Sequence, residues 1–234
     1  MAGNDTRGRT PLSLVGHEPD ILFYTRQATG QGGAVLVLGS ANGRVAWALA
    51  EAGLSVLGVD PSERMVRAAE ELRASETPEV SGRMRFLHAD PRSLRLSERF
   101  SVVLAPQHAL GLMGSHEDLE AFLATVRHHL EPAGIFAYDV LNPPAEPTSS
   151  RDEDEDEPGA ALEPRRPVFA FHLRERRQPG MPLGIRRLKL KPFSVEELDG
   201  AMKACGLTPR ERYGRFDGKP FEPEDSRHIG VVDG

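Results

Sequence analysis

The chain has 234 residues, long enough for one well-filled domain, and its 27% charged and 39% apolar content is ordinary for a globular protein. The formal net charge of −6 comes entirely from six consecutive acids, Asp152 to Glu157; elsewhere the charges balance, which argues against a basic nucleic-acid face or a face for anionic membranes. A single cysteine, Cys205, excludes an intrachain disulfide and a multi-cysteine metal site, so no metal is expected. The opening residues lack the apolar core of a signal peptide and no run is long enough to span a bilayer, so a cytoplasmic location is expected.

Taken in chain order, short apolar strands alternate with helical patterns, which predicts an α/β fold with a parallel sheet covered on both faces. Ala34 to Leu38 is a continuous apolar run of buried-strand length, and Val45, Ala46, Leu49 and Ala50 then recur at helical spacing up to Gly53. Ser55 to Val59 is the next strand and closes on Asp60. Pro61-Ser62 opens a helix carrying Met65, Val66, Ala69 and Leu72 on one stripe. Met84 to His88 and Val102 to Ala105 read as further strands. Ser115 with Asp118 predicts a capping box for a helix reaching Leu130, and Gly134 to Val140 is a fifth strand. After Asn142 a stretch rich in Pro, Ser and acids has almost nothing to bury and is expected to be a mobile loop. VFAFHLRERR and LGIRRLKLK suggest an antiparallel strand pair. Ser194 with Glu197 caps a helix running to Gly206, and Arg210 to Phe216 and His228 to Val232 read as two last strands.

The chemistry concentrates in LGSANGR, directly after the first strand. In an open α/β sheet the ligand lies beyond the carboxyl ends of the strands, where glycines let backbone approach it and the following helix presents unpaired N–H groups. An acid ending the second strand, about 20 residues on, can accept from ribose hydroxyls; Asp60 lies 21 residues after Gly39. The plainer alternative is a tight turn, with Asp60 capping the helix after Pro61.

These residues resemble the class I S-adenosylmethionine-dependent methyltransferases, and their small-molecule branch in particular. The run DILFYTRQATGQGGAVLVLGSANGRVAWALAEAGLSVLGVDPSERMVRAA, which begins at Asp20, looks like that branch's leading helix, first motif and second strand. HAD at His88 to Asp90 looks like its adenine-binding segment. FLATVRHHLEPAGIFAYDVLNP matches the later helix and fifth strand, and FSVEELDGAMKACGL followed by RYGRFDGKPF matches the family's end. The resemblance covers roughly residues 18–143 and 185–234.

That resemblance implies a doubly wound, mostly parallel seven-stranded sheet of Rossmann-like form, a single domain over residues 1–234. It also implies an antiparallel lid insert over 166–191, while composition gives a flexible N-terminus over 1–17 and an acidic mobile loop over 144–165, where relatives have ordered lid structure. The implied cofactor is S-adenosylmethionine, leaving as S-adenosylhomocysteine. Gly39, Ser40, Ala41, Asn42 and Gly43 would wrap its methionine part, Asp60 would hold the ribose, Asp90 would accept from the adenine amino group, and Tyr24 would lie against the amino-acid end. Tyr24 also fits a place in the core, and Asp90-Pro91 also fits a turn cap. His108, just past the fourth strand, is the candidate base or substrate contact, with Asp139 and His172 behind it. His128 and His129 are adjacent on a helix, point apart and do not make a metal site.

Three positions depart from the family pattern. Val37 stands where an acid is usual, Ala41 where the middle glycine is usual, and Ser101 where FDLV would place an acid. A left-handed alanine costs about 1–2 kcal/mol, and a lost hydrogen bond to an ammonium about 1.5–3 kcal/mol. A negative φ at Ala41, or hydrogen bonds from Ser40 or Asn42, would lessen the damage. Two functions follow: methyl transfer to a small-molecule acceptor, or a non-catalytic methyltransferase-like protein that binds a protein partner through the acidic loop.

Overall fold

The computed structural model describes residues 18–143, 169–174 and 185–234. The N-terminal segment 1–17, the acidic loop 144–165 and parts of the insert expected over 166–191 therefore lie outside the described residues. Helix α1 (Pro19–Gln31) leads into β1 (Val35–Leu38), α2 (Arg44–Glu51), β2 (Val56–Asp60), α3 (Glu63–Ala74), the short α4 (Pro78–Ser81) and β3 (Met84–His88). Next come β4 (Phe100–Ala105), a 3-10 turn (Ala109–Leu112), α5 (His116–His129) and β5 (Leu130–Leu141). The described chain ends with β6 (Phe169–Arg174), β7 (Ile185–Leu190), α6 (Val195–Ala204), β8 (Thr208–Tyr213) and β9 (Arg227–Asp233).

The main sheet has seven strands in the order β3-β2-β1-β4-β5-β9-β8. Strands β1 to β5 run parallel, and β9 is antiparallel to both β5 and β8. The strands read as continuous apolar runs because both faces of the sheet are covered. Leu36, Leu38, Val103, Ala105, Phe136 and Tyr138 pack with α5 and α6 on one face. Val35, Val37, Leu104 and Ala137 pack with α1 and α2 on the other. Strands β6 and β7 form a separate antiparallel ribbon.

The helix starts follow their capping residues. At α6 the box is complete: Glu197 N donates to Ser194 Oγ at 3.2 Å and Ser194 N donates to Glu197 Oε2 at 2.8 Å. At α5 only half of the expected box forms. Asp118 N donates to Ser115 Oγ at 3.0 Å, while the Asp118 carboxylate is taken by Arg92 Nη1 at 2.5 Å.

The strand order reverses direction between β1 and β4, which opens a crevice at their carboxyl ends. Ser101 lies at the opposite end of β4. A Cβ on Gly33 would come within 1.8 Å of Ser101 Oγ. This departure from the family pattern is a packing match with Gly33, remote from the crevice.

Candidate functional site

One wall of the crevice is the loop between β1 and α2. Gly39 N and Ser40 N both donate to Val59 O, at 2.8 and 3.0 Å, and Gly43 N donates to Ser40 O at 2.9 Å. These bonds wrap the backbone tightly, and Gly39, Ala41 and Gly43 all take left-handed conformations, with φ of 76°, 48° and 85°. The negative φ left open for Ala41 is not what the chain adopts. Tightness explains the glycines: a Cβ on Gly43 would sit 2.7 Å from Phe86 Cζ and 2.9 Å from Trp47 Cζ3. Asn42 is exposed at the loop's tip and Val37 is buried beneath it in apolar packing.

Asp60 closes on this loop. Ala41 N donates to its Oδ2 at 2.8 Å and Ser62 N to its Oδ1 at 2.9 Å. Burial raises the Asp60 pKa, and the N–H groups of Ser62 and Ala41, with His88, oppose the rise. Ser40 is buried, and its Oγ has no hydrogen-bond partner among the described residues. At the far end of the loop, Arg44 ties the start of α2 to Asp20 and Glu18 at the start of α1, an anchor with no signal in the local sequence.

Asp90 follows β3, one strand further out. Arg92 donates to it through N, Nε and Nη2, at 2.9, 3.0 and 2.7 Å, and its guanidinium holds the Asp90 carboxyl below its ordinary range. Both groups are partly solvated, so this pair is salt-sensitive.

The facing wall follows β4. Gln107 and His108 take left-handed conformations in succession, with φ of 56° and 60°. Backbone strain of about 1–3 kcal/mol per such residue needs outside support. Asp139, buried near the end of β5, supplies it: Gln107 N donates to its Oδ1 at 2.7 Å. Tyr24 OH donates to the same oxygen at 2.7 Å. His108 Nδ1 and Arg227 Nε lie 3.3 and 3.9 Å from Asp139 Oδ2, and Arg227 Nη2 lies 3.4 Å from His108 Nε2. Burial lowers the His108 pKa, Asp139 opposes this and Arg227 adds to it. Burial, then Asp139, pushes the Tyr24 hydroxyl well up. Tyr24 is 0% exposed, so it reaches the crevice only through Asp139.

The two walls touch, since a Cβ on Gly39 would come 3.0 Å from Ala109 Cβ. The ribbon adjoins them where Lys191 N donates to Gly111 O at 2.7 Å. His172 lies on β6 in register with Arg187. His129 is structural: Leu96 N donates to its Nε2 at 2.9 Å, and its Nδ1 pairs with Thr125 O at 2.8 Å. Among the described residues no group of three or more His, Cys, Asp or Glu could hold a metal ion, and no helix is long and apolar enough to cross a membrane.

The family model of a methyltransferase domain matches residues 35–134, the segment that holds the loop, Asp60, Asp90 and His108. That segment, less than half of the chain, is similar to a methyltransferase domain. A cypemycin N-terminal methyltransferase from Streptomyces is 31% identical over 112 residues, 48% of this chain and 43% of that protein, so the match spans less than half of that relative's length. The CcbJ methyltransferase of Streptomyces caelestis superposes with a TM-score of 0.72 at 24% identity, over 92% of this chain and 89% of its own. The glycopeptide N-methyltransferase MtfA, in complex with S-adenosylmethionine, superposes with a TM-score of 0.65 at 17% identity, over 97% and 88%. At these identities the structural likeness establishes the fold of the methyltransferase domain.

Sequence reasoning did not find Arg227. It opens β9, which inserts antiparallel beside β5 and sets Arg227 opposite Leu141. Nothing local in the sequence announces that placement.

Proposed function

We propose that this domain transfers a methyl group from S-adenosylmethionine to a nucleophilic atom of a small-molecule or short-peptide acceptor. The observation that carries the reading is Asp60: its two oxygens hold Ala41 N and Ser62 N, so the loop keeps its wrapped form although alanine replaces the middle glycine. The buried Ser40 Oγ supports the fit, as a polar atom beside the loop that a ligand can satisfy. When bound, the cofactor supplies an electrophilic methyl group on a sulfonium.

In this reading the loop from Gly39 to Gly43 cradles the methionine part, Asp60 accepts from the ribose hydroxyls, and Asp90, released from Arg92, accepts from the adenine amino group. Alignment and exclusion of water supply most of the rate of such a displacement. His108 takes the proton that the acceptor loses. The cypemycin N-terminal methyltransferase, 31% identical over 112 residues, supports a peptide N-terminus as the class of acceptor. A cytoplasmic location belongs to the same proposal.

The alternative, a non-catalytic protein, is favoured by Val37 at the usual acid's place and by the strained Ala41. Hydrogen exchange with and without S-adenosylhomocysteine separates the two. The methyltransferase reading predicts protection at residues 39–43 and 60–62 on adding the ligand; unchanged exchange there contradicts it.

A further inference from the structure

The group of Tyr24, Gln107, His108, Asp139 and Arg227 goes beyond what a proton-accepting histidine requires. His108 is buried on a strained segment between a carboxylate at one ring nitrogen and a guanidinium at the other. A guanidinium can only donate. At 3.4 Å, Arg227 Nη2 therefore faces the lone pair of Nε2, and the Asp139 carboxylate, 3.3 Å from Nδ1 in an ion-pair contact that is not aligned as a hydrogen bond, favours a proton there by its charge.

We propose that Asp139 is the positioning residue of the acceptor side: it fixes His108 as the Nδ1–H tautomer, so that Nε2 is the proton-accepting atom, and Arg227 caps that atom until the acceptor displaces it. The proposal rests on the methyltransferase reading for its purpose but not for its geometry. Asp139 Oδ1 is fully engaged by Tyr24 OH and Gln107 N, each at 2.7 Å, which turns Oδ2 toward His108. Among the described residues, charged or titratable groups meet His108 from three elements: Tyr24 of α1 through Asp139, Asp139 of β5, and Arg227 of β9. Arg227 stacks over the Phe216 ring at 5.0 Å and is about one-third exposed, so it has room to swing out. Once Arg227 has moved, the acceptor's proton passes to Nε2 as its nucleophilic atom bonds the methyl carbon, and the carbon–sulfur electron pair stays on sulfur.

The test needs neither cofactor nor acceptor, so its failure is distinguishable from failure of the methyltransferase reading. The full chain is labelled with 15N-histidine, and two-bond proton–nitrogen correlations identify His108 by its loss in His108→Gln. Wild type is expected to show Nδ1 protonated and Nε2 bare near neutral pH. In Asp139→Asn the amide oxygen stays with Gln107 N–H and its NH2 faces Nδ1, so the tautomer inverts to Nε2–H. Arg227→Ala keeps Nδ1–H and raises the titration midpoint of His108. A protonated Nε2 in wild type overturns the proposal, as does an unchanged tautomer in folded Asp139→Asn. If Asp139→Asn does not fold, the wild-type tautomer and the Arg227→Ala midpoint decide it, and an unmoved or lowered midpoint counts against it.

Discussion

Replacing Ala41 by glycine removes one methyl group from a residue at φ 48°. A left-handed alanine costs about 1–2 kcal/mol relative to its ordinary conformation. Glycine relieves that strain but loses more freedom on folding, about 0.5–1 kcal/mol. The hydrogen bond from residue 41 N to Asp60 Oδ2 uses the backbone N–H and survives. The net expectation is a gain of about 0.5–1 kcal/mol, which for a chain of this size is a rise of roughly 1–4 °C in Tm. Thermal melts and urea titrations at matched pH measure it. Gly43→Ala is the opposite control, because its Cβ would meet Phe86 and Trp47 below 3.0 Å at φ 85°. An Ala41→Gly variant that is less stable than wild type would refute the idea that strain is stored at residue 41.

Two further outcomes follow from buried partners. Tyr24→Phe keeps the ring but takes one donor from the buried Asp139 carboxylate, and is expected to destabilise by about 1–3 kcal/mol; denaturant melts should show less than additive loss when it is combined with Asp139→Asn. His228 is fully buried, accepts from Arg212 Nε at 2.8 Å, and has its pKa pushed down to about 3 by burial and Arg212. The unfolded chain takes up that proton below about pH 6.5 and the folded chain does not, so stability falls with acidification across the window from about 6.5 down to about 3. Between about pH 7 and pH 5 the loss from this residue is about 2 kcal/mol, and His228→Gln should flatten the stability profile over that range.

The strands and the first loop were legible because buried parallel strands are continuous apolar runs and tight turns need glycine at particular places. The place of Asp60 at the end of β2, beside the loop, was legible from its spacing after Gly39, whereas its part in holding a ribose belongs to the proposal. The rest depended on contacts distant in sequence. Asp139 matters because Tyr24 reaches it across 115 residues, and Arg227 because β9 returns beside β5. The positive φ values of Ala41, Gln107 and His108 were hidden because those residue types do not require them; surrounding hydrogen bonds impose them. The Ser101 departure from the family pattern is explained by packing against Gly33, a contact 68 residues apart in sequence.

The central claim is that the loop and Asp60 form one cofactor cradle despite Ala41 and Val37. Calorimetric titration of the full chain with S-adenosylhomocysteine and S-adenosylmethionine, beside Asp60→Ala shown by its melt to be folded, tests it most directly. The account predicts saturable one-to-one binding by wild type that is lost or strongly weakened in the variant. No binding by wild type, or equal binding by Asp60→Ala, would contradict it.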